Sequence, residues 1–270
     1  LTRPMCRSCS RLSDLASPTR RRFVTGLACT AIAPSLSGCE RAASFLVPSE
    51  TIERLGLEAW SRLRAEMPAT RDPALREAAG RVAERLLVAE GADPSAWEVE
   101  VFAAPGVNAF VLPGRKIGIL EGLFPVAQSE GGLAAVVGHE IGHLAADHAR
   151  ERVAAQVAQQ VGVRLVALAL DIGDVAFARE IAAALGVGVE FGLARPYGRA
   201  QELEADRLGL FMMARAGYDP EEAVGLWQRM DAASAGGPPA ILSTHPAPQD
   251  RIEAIRAMLP EARAATAGAR

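Results

Sequence analysis

The residues best suited to do chemistry are His139-Glu140-Ile141-Gly142-His143. In a helix of about 3.6 residues per turn, positions 139 and 143 share one face, so their imidazoles offer two nitrogens to a single Zn²⁺. Glu140 lies about a hundred degrees further around the helix, where its carboxylate meets a water in an open coordination position rather than the metal. Hydrolysis needs that division of labour. Neutral imidazoles hold the ion, the ion brings the pKa of its water toward about 7, and a carboxylate removes the proton. A five-residue signature can arise by chance, so the rest of the chain must supply the remaining groups.

The stretch around the signature reads as a helix. Ser129 can cap it, Glu130 lies in its first turn, and Leu133, Val136, Val137, Ile141 and Leu144 form an apolar stripe. Gly138 and Gly142 cost about 1 kcal/mol each inside a helix. They reflect either a Gly-rich composition or the close approach of another backbone beside the metal. A third ligand is expected in Arg199 to Asp206, where Glu202 and Asp206 share a helical face and Glu204 points away. Glu202 can complete a His₂Glu site, and Asp206 can accept the remaining N–H of a ligand histidine. Alone, this stretch also reads as a solvated acidic helix; the upstream signature reverses the balance. His245 stands in Ser243-Thr244-His245-Pro246, where proline stiffens a turn that can aim the ring at a site, ahead of a last helix bearing Arg251. His148 has no such context and reads as a surface residue.

The elements that must position these groups follow from patterning. Ser49 to Glu66 reads as an amphipathic helix with Ser49 as cap, and Pro73 to Glu90 as a second, opened by Asp72 and closed by Gly91. Trp97 to Phe102 alternates like a half-buried strand. Asn108 to Gly114 and Lys116 to Leu120 add two extended runs around a Pro-Gly turn, which together predict a small antiparallel sheet. An edge of such a sheet can take up an extended peptide by strand addition. Charged residues interrupt every apolar run between 161 and 198, which favours core or lid helices over a membrane hairpin. Gly217-Tyr218-Asp219-Pro220 ends one helix and starts another, and 234–239 is a Gly/Pro-rich loop.

At 270 residues the chain can build one sizeable core. A net charge of -3, with Lys116 the only lysine and no basic stripe, speaks against nucleic acid as a partner. Residues 1–38 read as an export signal: Thr19-Arg20-Arg21-Arg22-Phe23-Val24 resembles a twin-arginine signal, with an ordinary secretory signal as the alternative. Leu36-Ser37-Gly38-Cys39 resembles a bacterial lipobox, with lipid expected on Cys39; a non-lipidated signal is the alternative. Cys6, Cys9 and Cys29 fall in the signal, and none follows Cys39, so no disulfide framework is expected beyond it. The chain begins with Leu1, and Met5 is an optional start. The expected layout is a signal over 1–38, a tether over 39–48, one metallopeptidase domain over 49–260 and a tail over 261–270.

Five blocks carry a family resemblance: Asn108-Ala109-Phe110-x-x-Pro113-Gly114, His139-Glu140-x-x-His143, Arg199-x-x-Glu202-x-x-x-Asp206, Ala216-Gly217-Tyr218-Asp219-Pro220 and Ser243-Thr244-His245-Pro246. In this order they resemble the zinc metallopeptidases of the HtpX and CAAX prenyl protease family, especially its soluble exported bacterial branch, from about Glu50 to Met258. Arg115 departs from the pattern, where a second glycine is common. The resemblance implies a mainly helical, zincin-like fold with a small β-sheet whose edge strand, at Asn108, Ala109 and Phe110, holds substrate. It implies one Zn²⁺ on His139, His143 and Glu202, Glu140 as catalytic base, His245 stabilising the oxyanion and Asp206 supporting the zinc ligands. The function expected is a zinc endopeptidase of the bacterial cell envelope, lipid-anchored through Cys39 on the periplasmic face and cleaving misfolded or unassembled envelope proteins. The rival is a non-catalytic envelope lipoprotein, a chaperone or assembly scaffold with a structural zinc, which has no need of a base at Glu140.

Overall fold

Helix α1 occupies Ser49–Glu66, the range that patterning predicts, but its cap is Pro48 in extended conformation, and Ser49 is the first helical residue rather than the cap. Helix α2, Pro73–Ala89, opens as expected: the Asp72 side chain accepts from the Ala74 N–H at 2.8 Å, and Pro73 fills a position whose N–H needs no partner. It buries Ala79, Val82, Ala83, Leu86 and Leu87, a stripe at helical spacing, and the chain leaves it through Gly91 at φ 70°. The computed structural model describes residues 48–153, 197–233, 241–242, 245 and 248–267. The expected signal, Cys39 and nearly all of 161–198 lie outside these.

Three strands follow: β1 (Glu98–Phe102), β2 (Ala109–Leu112) and β3 (Lys116–Leu120), in spatial order β1-β3-β2. The β2–β3 pair is the expected hairpin, but β1 pairs with β3 in parallel, so the sheet is mixed rather than antiparallel. The six residues 103–108 carry the chain past the position of β3 to the far edge, and the hairpin then returns β3 into the gap. Gly114 and Arg115 make the turn at φ 87° and 61°, so the arginine takes the left-handed conformation that glycine would occupy there at less cost.

Alternation divides the sheet's two faces. Phe102 and Leu112 join Trp60 of α1 in one buried cluster, with the Trp60 and Phe102 rings edge to face at 5.6 Å and the Phe102 and Phe110 rings stacked at 6.2 Å. Val101, Ala109, Ile117 and Ile119 face the larger core. After the short helix α3 (Phe124–Ala127) comes α4, Glu130–Ala145, capped as expected by the Ser129 hydroxyl, which accepts from the Gly132 N–H at 2.9 Å. Every residue of α4 from Gly132 to His143 is buried, with β2, α2, α5 (Arg199–Arg215) and α6 (Glu221–Ala233) packed around it. The Gly217 and Asp219 signals hold: Gly217 is left-handed at φ 76°, and Asp219 Oδ1 accepts from the Glu221 N–H. Helix α7, Pro248–Ala267, closes against α5 and α6.

The alternative left open for the glycines of α4 resolves as backbone approach. A Cβ on Gly142 would lie 2.8 Å from the Ala205 carbonyl oxygen, and one on Gly138 3.2 Å from that of Gly209. Reciprocally, a Cβ on Gly209 would sit 2.7 Å from the His139 nitrogen. Helices α4 and α5 therefore touch main chain to main chain at the level of the signature. The fold is mostly helical with one small sheet, as expected, and among the described residues no helix is long and apolar enough to cross a membrane.

Candidate metal centre

One face of α4 brings the His139 and His143 rings together, their Nε2 atoms 3.0 Å apart. Across the glycine seam, α5 delivers Glu202, with Oε1 3.5 Å from His143 Nε2 and Oε2 3.6 Å from His139 Nε2. His245 enters from the segment ahead of α7, its Nδ1 3.2 Å from His139 Nε2 and 2.9 Å from Glu202 Oε1. These four residues are buried, and their donor atoms all lie within 4.8 Å of one another.

Zinc fits this donor set. Ligands about 2.0–2.1 Å from a tetrahedral ion stand about 3.3 Å from each other, the range found here. The protonation states agree with it too. Burial, then the charge of Arg251, holds His139 well below the usual imidazole range, and burial takes His143 down to about 3, so both rings are neutral lone-pair donors. Burial works to raise Glu202, but its contacts with His143 and His245 and the charge of Arg251 outweigh it and hold the carboxyl well below the usual carboxylate range. Glu202 Oε2 is buried without a hydrogen bond: Arg251 Nη1 comes within 2.8 Å but is not aligned to donate.

Glu140 lies beside the donor cluster and lines a cleft of about 280 Å³, together with residues 108–113 of the β2 segment, Ile52 and Gly56 of α1, Arg152, Tyr197 and His245. Its Oε1 is buried without a hydrogen bond, the His245 Nε2 lying 3.3 Å away and misaligned. Burial pushes the Glu140 carboxyl up to about 7, opposed by the His245 charge. A carboxyl balanced near neutrality and lacking a donor is suited to exchange a proton with a water or substrate atom in the cleft.

Asp206, one turn beyond Glu202, holds Oδ1 3.0 Å from His139 Nδ1. Sequence reasoning names Arg251 only as a feature of the last helix, yet it ties the cluster together. Its Nε and Nη2 donate to Asp206 at 2.7 and 2.5 Å, and its guanidinium lies 3.6 Å from the centre of the Trp227 ring. The signal was present: Arg251 shares the buried face of α7 with Ile255, Leu259 and Ala262, and an arginine in an apolar stripe needs a buried acid. Tyr197 is a second omission, its ring stacked on His143 at 3.9 Å; nothing in its sequence context marks it.

His148 overturns the surface reading. Its relative exposure is 0%, and its Nδ1 lies 2.9 Å from His143 Nδ1. Asp147, left-handed at φ 59°, breaks the helix just after α4, and the helical residues 148–153 that follow bring Ala149, Arg152 and Val153 to the cleft. Glu204 points away from the cluster as expected, but its carboxylate comes within 3.4 Å of His148 Nε2. Asn108, Ala109 and Phe110 all border the cleft, though the Phe110 ring turns to the α1 cluster, where it covers Gly118.

The model of peptidase family M48 matches residues 71–259. Among curated proteins, the chain is similar to the mitochondrial metalloendopeptidase OMA1 of Schizosaccharomyces pombe, 41% identical over 67% of this chain and 52% of that protein. A Vibrio cholerae protein provisionally named a beta-barrel assembly-enhancing protease is 32% identical over 70% of this chain and 40% of its own length. The beta-barrel assembly-enhancing protease of Escherichia coli is 26% identical over 72% and 41%. The chain spans about half the length, or less, of these relatives.

Proposed function

Because the chain belongs to peptidase family M48, we propose that it is a zinc-dependent endopeptidase, with His139, His143 and Glu202 holding the metal and Glu140 as the base. The observation that carries this reading is the buried Glu140 carboxyl, set beside the donor cluster and open to the cleft without a hydrogen bond of its own. A purely structural zinc has no use for it, which disfavours the scaffold alternative.

Zinc, when bound, polarises the scissile carbonyl and acidifies the attacking water. Glu140 takes the water's proton and returns it to the departing amine nitrogen. His245, whose Nε2 borders the cleft beside Glu140, supports the oxyanion, and Asp206 fixes the proton of His139 on Nδ1. Substrate lies along the free edge of β2. Leu120 N–H donates to Asn108 C=O at 3.0 Å, so Asn108, Phe110 and Leu112 turn their polar groups to β3. Ala109 and Val111 then turn their N–H and C=O groups away from β3, where the half-buried Val111 can meet an extended peptide in the cleft while Ala109 is 2% exposed.

Substrates are unfolded or misassembled envelope proteins, and the chain acts at the periplasmic face of a bacterial membrane, lipid-anchored at Cys39, as a member of the soluble exported branch of the HtpX and CAAX protease kinship. Support comes from the export-type residues 1–38, the lipobox-like Leu36-Ser37-Gly38-Cys39 and the likeness to the beta-barrel assembly-enhancing proteases. Glu140→Gln is expected to retain zinc by metal analysis and to lose casein cleavage by at least about a hundredfold, the contribution of a positioned base. Cleavage at the unaltered rate would remove Glu140 from the mechanism. Mass spectrometry of the mature amino terminus tests the anchor, and an unacylated Cys39 would refute it.

A further inference from the structure

His148 takes no part in the chemistry above, yet it is more completely enclosed than any of the three site histidines. Its Nδ1 faces His143 Nδ1 at 2.9 Å and its Nε2 faces Glu204 Oε2 at 3.4 Å. Two ring nitrogens in contact share one proton, so one donates and the other accepts. His143 turns Nε2 to the donor cluster, 3.0 Å from His139 Nε2, so as a ligand it keeps its proton on Nδ1. That proton has His148 Nδ1 as its acceptor, which leaves the proton of neutral His148 on Nε2, facing the Glu204 carboxylate.

We infer that His148 is a positioning residue for the zinc ligand His143, the middle member of a Glu204–His148–His143 relay; the inference rests on the zinc site proposed above. The Tyr197 ring stacks on the face of His143 and fixes the plane of its imidazole, but stacking leaves open a half-turn flip about the Cβ–Cγ bond, which would put ring carbons where the nitrogens stand. The bond to His148 closes it and raises the basicity of Nε2. The two ligand histidines are thus held by different means. His139 sets its Nδ1 3.0 Å from the Asp206 carboxylate, which Arg251 neutralises. His143 donates to a neutral imidazole whose backing carboxylate is 45% exposed. The left-handed Asp147 makes the relay possible, because a continued helix would carry position 148 around α4, away from the His143 ring.

The test is zinc affinity of the full chain, measured by competition with a chromophoric chelator. His148→Leu removes the acceptor, whereas His148→Asn places a carbonyl oxygen close to the Nδ1 position. His148→Leu is expected to bind zinc about 10–100-fold more weakly with its far-ultraviolet circular dichroism unchanged, and His148→Asn to recover most of that loss. A general packing role would weaken both alike. Leucine binding as tightly as wild type overturns the inference, as does an asparagine variant no better than the leucine one. Failure of the wild type to bind zinc would overturn the metal site itself, and the relay with it. Nitrogen-15 chemical shifts of the histidine rings in zinc-loaded wild type give a reading free of substitution: the proton of His148 is expected on Nε2, and finding it on Nδ1 refutes the relay.

Discussion

Arg251 is the residue on which the electrostatics of the centre turn. It is 2% exposed and serves two buried carboxylates, Glu202 and Asp206, with Trp227 against its face. Removing one member of such a group leaves uncompensated buried charge, at a cost of about 3–5 kcal/mol. Arg251→Met is therefore expected to lower metal-free stability by about that amount in urea denaturation, and Arg251→Lys to rescue it poorly, since an ammonium cannot donate to both Asp206 oxygens in the plane of a guanidinium. An unfolding midpoint like that of wild type would show Arg251 to be dispensable. At this scale the sequence was legible wherever spacing along one helix decides the geometry, as for His139 with His143 and Glu202 with Asp206. For Arg251 the apolar stripe around it signals a buried acid but not which one, since Asp206 is 45 residues away; His148 was not legible, because its role depends on Glu204, 56 residues away, and on a left-handed Asp147 that no glycine announces.

The elements were readable from their ends and their periods. Asp72-Pro73, Ser129 and Gly217 act where sequence reasoning places them, because capping is local chemistry. The parallel pairing of β1 with β3 was not readable, since strand order is settled by what the sheet packs on and not by the strands themselves. The seam between α4 and α5 shows a glycine working through absence of atoms. Gly209→Ala would set a methyl 2.7 Å from the His139 nitrogen and 2.8 Å from the Gly138 carbonyl carbon, main-chain atoms that cannot rotate aside. Overpacking of about 1–3 kcal/mol exceeds the gain of about 1 kcal/mol in helix propensity, so the variant is expected to be less stable and to bind zinc more weakly as Glu202 is pushed from the histidines. Gly80→Ala in α2 is the control: nothing lies within 4 Å of its added methyl, and stability is expected to rise by up to about 1 kcal/mol. Equal shifts at both positions in thermal melts would mean that the seam imposes no constraint.

For the whole molecule, the centre joins parts of the chain that are far apart in sequence: α4, α5, the segment at His245 and α7 all meet there. A ligand bound only by the native state stabilises it by about 4 kcal/mol at a thousand times its Kd. For a domain of 150–250 residues that corresponds to roughly 8–16 °C. Chelation is expected to lower the melting temperature by that order and zinc to restore it; a melt indifferent to chelator would argue against a bound metal. A different consequence follows from the edge of β2. In the proposed reading this edge offers backbone amide groups to substrate, and every amino acid except proline carries the same pair. Grip through them is indifferent to which residues go by and responds instead to whether a run of chain can be drawn out straight. Discrimination by such an edge is conformational: a folded domain has no loose strand to lend, whereas a chain that has lost or never reached its fold has many.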